Sequence, residues 1–313
     1  SIIAEDSVYH SPTVDEAGTA LLTGFMLSYS DQDPDNPSTS RVYTVDSLPS
    51  HGVLEVNGVA LTGAGPTSFT QDDLDMQRVS YVHDGSETDS DSFVFSVSDP
   101  NGGPAASATF FIAIDPVNDA PVNHLPATTT DDRLDTNEGH DIVFAGELGI
   151  SVSDADSGLF PIKVTVAIAP TADGMAVLTY DESVIPDNPD YSFVGYGTTE
   201  LVFTAPVDLL ATVLATLIYD IQAADVPFTD VLTITVEDFG NSGVTASGDY
   251  SSGVSKSDSD VVFIKVNDVP EVATNAGVTV NEGGTVALTA VELEVSDTDD
   301  ADDLTIEAFG KAF

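Results

Sequence analysis

The segment Ser92-Phe93-Val94-Phe95-Ser96-Val97-Ser98 decides the fold class of this chain. Phe93, Phe95 and Val97 point to one side, whereas Val94 and the serines point to the other. Successive side chains of a β-strand lie on opposite faces of its sheet, so this period of two predicts a strand with one buried and one wetter face.

The same alternation recurs along the chain, and turn residues separate its occurrences. Leu232, Ile234 and Val236 form a second case, and Phe110, Ile112 and Ile114 form a third. Clusters of Gly, Pro, Asn and Asp stand between such segments at short intervals, as in sandwiches of short strands. The sequence therefore predicts an all-β protein. Helical signals are scarce: residues 70–74 predict one capped helical turn, and Pro206 predicts the start of a helix running into 209–217.

The charge of the chain excludes several functions. Asp and Glu total 53 against 7 Lys plus Arg, which gives a net charge of -46 over 313 residues. A chain with so few basic residues has no footprint for nucleic acid or for an anionic membrane. The hydrophobic fraction of 42% is high enough for a buried core. Bound cations are the simplest compensation for the repulsion among the carboxylates.

Other whole classes of site are also excluded. The chain has no cysteine, which rules out disulfides and thiolate metal sites. No apolar run is long enough to span a bilayer, so we expect no membrane insertion and expect any export signal to lie outside this sequence. The five histidines show no metal-ligand spacing, and no nucleophile elbow, phosphate loop or dinucleotide fingerprint is present. We therefore expect no enzymatic activity.

Internal repeats divide the chain into modules. Asn118-Asp119-Ala120-Pro121 returns as Asn267-Asp268-Val269-Pro270, and a Glu near the start of each repeat precedes an Asp-x-Asp at almost constant spacing. The three Glu residues are Glu16, Glu138 and Glu282, and the three acidic pairs are Asp31-x-Asp33, Asp154-x-Asp156 and Asp297-x-Asp299. These repeats predict a module over 1–119, a second over 120–268, and the first part of a third, truncated module over 269–313.

The repeated acids are expected to converge at the module ends. The strand after Glu16 would run to the opposite end of module one, which leaves Glu16 at the end close to the linker Asn118-Asp119. Asp154, Asp156 and the strand-end Asp238 would lie at the end of module two that faces this linker. Calcium binds six to eight hard oxygens in flexible geometry, whereas magnesium keeps its waters, so this acid-rich cage favours calcium. Each motif alone is more often a turn or a solvated loop, but their ordered recurrence favours a metal site.

Module one resembles the cadherin-like repeats of large bacterial surface adhesins, of the type related to chondroitin-sulfate-proteoglycan repeats and found in RTX-like adhesins. The resemblance extends over essentially all of module one and rests on five segments, namely residues 48–52, 69–74, 79–87, 93–99 and 117–121. Module two is similar more loosely, and the last module only at Glu282 and its Asp-x-Asp. The resemblance implies tandem Ig-like, cadherin-like β-sandwich modules in a linear array, with several calcium ions at the junctions.

The resemblance also assigns ligand roles. Glu16 and Glu87 correspond to the acids of the preceding module at the first junction, and Glu138 and Asp225 correspond to them at the second. The candidate metal ligands are Glu16, Glu87, Asn118, Asp119, Asp154, Asp156, Asp238, Glu138, Asp225, Asn267, Asp268, Asp297, Asp299, Asp31, Asp33 and Asp99. Pro116 and Lys265 stand where cadherins carry a further linker acid, so we expect fewer ions there.

The sequence thus predicts calcium-rigidified extender modules of a secreted or cell-surface bacterial adhesin. The expected partners are neighbouring repeats of the same chain, and a glycan or protein ligand bound by domains outside this sequence. Three alternatives stay open. One is a glycan-binding sandwich using Tyr191, Phe193 and Tyr196, and another is a subunit of a surface layer or filament that pairs through exposed strand edges. The third is a surface whose acids serve only solubility in high salt.

Overall fold

The computed structural model describes residues 11–28, 41–63, 67–98, 106–127, 133–169, 176–221, 228–244, 250–267, 271–291 and 293–296. Strands dominate these residues, which confirms the predicted all-β class. The chain forms two compact units, the first within residues 1–119, 155–157 and 240–255, and the second within the remainder. None of the helices in the described ranges is long and apolar enough to cross a membrane.

The first unit contains two facing sheets. The larger has the strand order β1-β9-β8-β3-β6, and only its β1–β9 pair is parallel. Its strands are β1 (Thr13–Asp15), β3 (Val42–Ser47), β6 (Ser68–Thr70), β8 (Ser90–Ser98) and β9 (Ala106–Asp115). The smaller has the order β2-β7-β4-β5, with β2 (Thr19–Leu22), β4 (Gly52–Val56), β5 (Val59–Ala60) and β7 (Val79–His83). The strands β20 (Asn241–Val244) and β21 (Tyr250–Ser252) form a separate antiparallel pair.

Alternation along β8 builds the core of the first unit. Phe93, Phe95 and Val97 are buried, as the sequence predicts, while the residues between them are more exposed. The ring of Phe93 lies 5.1 Å from that of Phe110, and Tyr43 stacks on Phe69 at the same centroid distance. Burying such side chains removes apolar surface from water at roughly 25 cal/mol per Å2, which holds the two sheets together.

The predicted helical turn is helix α1 (Gln71–Asp75), which connects β6 to β7. The hydroxyl of Thr70 accepts the amide N–H of Asp73 at 3.2 Å, and the Asp73 carboxylate accepts the amide N–H of Thr70 at 2.8 Å. Two helix-terminal donors are thereby satisfied reciprocally, which confirms the predicted cap.

The second unit also packs smaller sheets with one large sheet. Its larger sheet has the order β11-β22-β19-β14-β17-β16, again with one parallel pair, β11–β22. These strands are β11 (Arg133–Asn137), β14 (Ile162–Ala169), β16 (Ser192–Val194), β17 (Glu200–Ala205), β19 (Phe228–Glu237) and β22 (Ser257–Asn267). The other strands are β10 (Val122–His124) paired with β13 (Ser151–Ser153), and β12 (Ile142–Val143), β18 (Ile218–Ile221) and β15 (Ala176–Thr179) in a third sheet.

The core of the second unit also follows the sequence alternation, since Leu232, Ile234 and Val236 are fully buried. Helix α2 (Val207–Leu214) begins directly after Pro206, as predicted, and ends before the expected residue 217. Single 3-10 turns span Gly146–Leu148 and Glu182–Val184.

In each unit a buried hydrogen bond from a tyrosine to an aspartate joins two sheets. The Tyr81 hydroxyl on β7 donates to Asp91 on β8 at 2.9 Å, and the Tyr219 hydroxyl on β18 donates to Asp230 on β19 at 2.6 Å. Burial, followed by this bond to a carboxylate, raises the pKa of both tyrosines, so both hydroxyls stay protonated and act as donors.

The last part of the chain differs from both sandwiches. The strands β23 (Glu271–Asn275) and β24 (Leu293–Ser296) pair with each other, and residues 276–291 are all exposed. The proposed boundaries at 119 and 268 and the truncated third module stay predictions.

Candidate metal centre

The turn that carries Glu16 begins where β1 ends. The amide N–H of Glu16 donates to the Asp115 carbonyl at 2.8 Å, which extends the parallel pairing of β1 and β9 by one residue. The Gly18 N–H then closes a tight turn onto the Asp15 carbonyl at 2.7 Å. A Cβ at position 18 would lie 2.6 Å from that carbonyl oxygen, so the turn requires glycine.

The loop that carries Glu87 begins where β7 ends. Asp84 accepts the amide N–H of Ser86 at 3.0 Å and its hydroxyl at 2.6 Å, which folds the loop into a side-chain-capped turn. These two bonds lower the pKa of Asp84. The Thr88 N–H donates to the Ser86 carbonyl at 2.8 Å, so the backbone is held on both sides of Glu87.

The third acid comes from a distant part of the sequence. Asp156 is only 5% exposed, and residues 155–157 belong to the first compact unit. Its carboxylate accepts the backbone N–H of Asp119. The neighbouring Asn118 is also buried, and its side-chain amide donates to the Val254 carbonyl at 3.1 Å. A Cβ at Gly253 would lie 2.7 Å from the Asn118 Cβ, so a glycine is needed for this approach.

The carboxylates of Glu16, Glu87 and Asp156 form one group, with one oxygen of each lying within 4.8 Å of the others. Glu16 and Asp156 are buried, while Glu87 is exposed at the edge of the group. The donor set consists of oxygens alone, which suits a hard cation such as calcium.

The pKa values of Glu16 and Glu87 are both raised. Burial raises the pKa of Glu16, and the charges of Asp119 and Asp156 raise it further. Hydrogen bonds from the Val117 N–H at 3.3 Å and from Glu87 lower this pKa and so offset part of the rise. Burial and then the charges of Asp156 and Glu16 raise the pKa of Glu87 to about 8. The ionised group is therefore costly by itself, and a bound divalent cation would remove that cost.

The structure brings together five of the sixteen predicted ligands: Glu16, Glu87 and Asp156 in the group, and Asn118 and Asp119 beside it. Four others lie among the described residues but outside this group, namely Asp154, Asp238, Glu138 and Asn267. Asp31, Asp33, Asp99, Asp225, Asp268, Asp297 and Asp299 lie outside the described residues.

The four other described residues belong to the second unit. Asp154 is half-buried, two residues before Asp156. Asp238 is fully buried and accepts the amide N–H of Lys256 at 2.8 Å. The Glu138 N–H donates to the Asn267 carbonyl at 2.9 Å, which places Glu138 in its sheet as Glu16 is placed beside Asp115.

That last contact reveals an offset between the repeats. Asn267 lies opposite Asn137 at the end of the parallel pair, where the first unit has Asp115 opposite Asp15. The strand register therefore makes Asn267 equivalent to Asp115. The Asn-Asp-x-Pro motif instead makes Asn267 equivalent to Asn118, which lies three residues after Asp115. The two Asn-Asp-x-Pro segments therefore start at different distances from the preceding strand.

The aromatic residues proposed for glycan binding largely serve the core. Tyr191 and Phe193 pack against the core of the second unit, and the ring of Phe193 lies 5.4 Å from Phe203. Tyr196 is half exposed and contacts Tyr180 edge-on at 5.4 Å.

Sequence reasoning missed the connections between these elements. The sheet-joining Tyr–Asp pairs recur with similar separation, 10 residues for Tyr81 and Asp91 and 11 for Tyr219 and Asp230, which is a detectable signal. The sequence pattern assigns no role to His83, although its ring contacts both turns that carry the glutamates.

Known proteins resemble parts of this chain. Residues 9–114 match a family model described as cadherin-like. Human FRAS1-related extracellular matrix protein 1 is 27% identical over 93% of this chain and 12% of its own length. Human chondroitin sulfate proteoglycan 4 is 32% identical over 50% of this chain and 7% of its own length. The chain thus spans a small part of these relatives.

A solved structure of human protocadherin-24 EC1-2 aligns with 83% of this chain and 94% of its own length, at 16% identity and a low TM-score of 0.30. The sequence matches support the predicted cadherin-like, chondroitin-sulfate-proteoglycan-type repeats. The similar proteins are named as matrix proteins and a proteoglycan, and the bacterial adhesin stays a prediction.

Proposed function

We propose that this chain is a non-catalytic part of an extracellular structural or adhesion protein, and that calcium rigidifies its cadherin-like modules. The observation that carries the proposal is the group of Glu16, Glu87 and Asp156. Two of these acids precede the linker Asn118-Asp119 in the sequence and one follows it. A cation bound by all three would therefore constrain the chain on both sides of the linker.

The geometry suits calcium. The oxygen ligands of a calcium ion lie about 2.3–2.6 Å from the ion, so two oxygens on opposite sides of it are about 4.6–5.2 Å apart. One oxygen of each of the three acids lies within 4.8 Å of the others, which is within the range that a single calcium ion can bridge. Calcium also tolerates irregular geometry and bidentate carboxylates, whereas magnesium requires a near-octahedral shell and retains water.

The electrostatics indicate what the ion contributes. Without it, desolvation and then the nearby like charges raise the pKa values of Glu16 and Glu87. A ligand that binds only the folded state stabilises it in proportion to the logarithm of its concentration above Kd. Calcium should therefore raise the stability of the first unit and restrict motion of the linker.

The wider biological role is part of the same proposal. The modules would serve as extenders of a secreted or cell-surface protein, of the bacterial adhesin class that the sequence motifs resemble. Neighbouring repeats of the chain would be the direct partners, and a glycan or protein ligand would bind elsewhere in the full-length protein. The matrix-protein names of the relatives agree with a non-catalytic, extracellular role.

The test is thermal unfolding in calcium, in magnesium and in excess chelator. We expect calcium to raise the melting temperature of the wild type much more than magnesium does. The double variant Glu16→Gln/Glu87→Gln should lose most of this rise, yet melt no lower than wild type in chelator because the like-charge repulsion is gone. The matched control, Glu182→Gln/Glu200→Gln in the second unit, should respond as wild type.

Two results would contradict the proposal. A full calcium response in the Glu16→Gln/Glu87→Gln variant would mean that the ions bind elsewhere. No response in the wild type would mean that the acids serve solubility.

A further inference from the structure

His83 lies at the end of β7, and its side chain is fully buried. Its ring lies between the two turns that carry Glu16 and Glu87. A buried imidazole must satisfy both of its nitrogen atoms, so the partners of each nitrogen define what the residue does.

The Nδ1 atom contacts both turns. It accepts the amide N–H of Ala17 at 3.2 Å and the amide N–H of Gly85 at 3.3 Å. Ala17 directly follows Glu16, and Gly85 precedes Glu87 by two residues. Both have left-handed backbone, with φ of 53° at Ala17 and 81° at Gly85. Alanine rarely adopts this conformation, and the bond to His83 compensates for its cost.

The Nε2 atom contacts the far side of the second turn. Because Nδ1 accepts two N–H groups, the proton is assigned to Nε2, which then donates to the Thr88 hydroxyl at 3.0 Å. Thr88 directly follows Glu87. The ring is therefore bonded on both sides of Glu87 and next to Glu16, and it contacts these turns as a neutral group.

A neutral connector is what this location requires. Glu16 and Glu87 repel each other when ionised, and an attractive charge between them would compete with a cation. Hydrogen bonds to the backbone fix the turns without that competition. Ala17 and His83 are 66 residues apart in the sequence. The distance between the two turns in space therefore depends on a tertiary contact such as this hydrogen bond.

We propose that His83 is the positioning residue of the cation site, holding the Glu16 and Glu87 turns at binding distance as a neutral Nδ1 acceptor and Nε2 donor. This inference rests on the proposed calcium function. Partners that orient the ligands of a metal site commonly change its affinity by about 10- to 100-fold when they are removed.

The test compares three substitutions by calcium titration calorimetry. His83→Phe fills the same space without either polar atom and should weaken calcium binding about 10-fold or more. His83→Asn offers its side-chain oxygen where Nδ1 lies, and should restore most of the affinity. Thr88→Val removes only the Nε2 partner and should give a smaller loss. His124→Phe, at an exposed histidine of the second unit, is the control and should bind as wild type.

A second measurement separates positioning from folding. Nitrogen chemical shifts of the His83 ring should report the neutral Nε2–H form both with calcium and in chelator, and urea unfolding in chelator should show that each variant is folded. Wild-type affinity in a folded His83→Phe or, if that variant fails to fold, in Thr88→Val would overturn the inference. Absence of calcium binding in the wild type would instead overturn the proposed function.

Discussion

Glu87 is the residue at which the electrostatics of the group can be measured. Its pKa is raised from the ordinary value of 4.5 to about 8 by burial and by the neighbouring acids. The unfolded chain therefore releases this proton at lower pH than the folded chain does.

A pH dependence follows for the metal-free protein. Between about pH 4.5 and pH 8 the folded state binds more protons than the unfolded state, so the free energy of unfolding should fall as the pH rises through this range. Urea unfolding in chelator at several pH values measures this fall. Glu87→Gln should reduce it, whereas Glu182→Gln, on an exposed 3-10 turn, should leave it unchanged. An identical pH dependence in Glu87→Gln and wild type would contradict the assignment.

At the scale of elements, the Tyr–Asp bonds decide how each pair of sheets is joined. Tyr81 and Tyr219 each donate across the core to a buried aspartate, and Asp91 also accepts the amide N–H groups of Ser50 and His51 at 3.0 and 2.9 Å. These bonds link sheets across the core, so they fix the sheets against each other where apolar packing alone would allow sliding.

Removing either hydroxyl should be costly. Tyr81→Phe and Tyr219→Phe should each lower the free energy of unfolding by about 1.5–3 kcal/mol, the usual size for a buried hydrogen bond to a charged group. Denaturant unfolding measures the loss, and Tyr196→Phe, at a half-exposed tyrosine, is the matched control. A loss under about 0.5 kcal/mol, as at ordinary surface positions, would show that the bonds do not join the sheets.

The limits of sequence reasoning also lie at this scale. Alternation predicted the buried faces of β8 and β19, and the Thr70–Asp73 spacing predicted helix α1, because each depends on neighbours along the chain. The Asn267 motif was matched to Asn118, although its strand register is three residues different. Register depends on the opposite strand, and the contacts of His83 depend on turns distant in sequence, so neither follows from local patterns.

At the scale of the whole molecule, the net charge of -46 opposes folding in dilute solution. Raising monovalent salt from 0.01 M to 0.15 M shortens the screening length from about 30 Å to about 8 Å, so the melting temperature should rise. Calcium chloride at equal ionic strength should raise it further, because a bound ion neutralises buried carboxylates that screening reaches poorly. Equal effects of the two salts, measured by calorimetry, would mean that calcium acts only by screening.

The parallel pairing of β1 with β9, and of β11 with β22, has a mechanical consequence. Within residues 13–115, and again within residues 133–267, the paired strands are the first and the last that the structure describes, so tension applied across either range pulls two parallel neighbours in opposite directions. Their hydrogen bonds are then loaded in shear and must rupture together, whereas an antiparallel hairpin unzips one bond at a time. The second unit pairs over five residues, Arg133–Asn137, and the first over three, so the second should resist the greater pulling force.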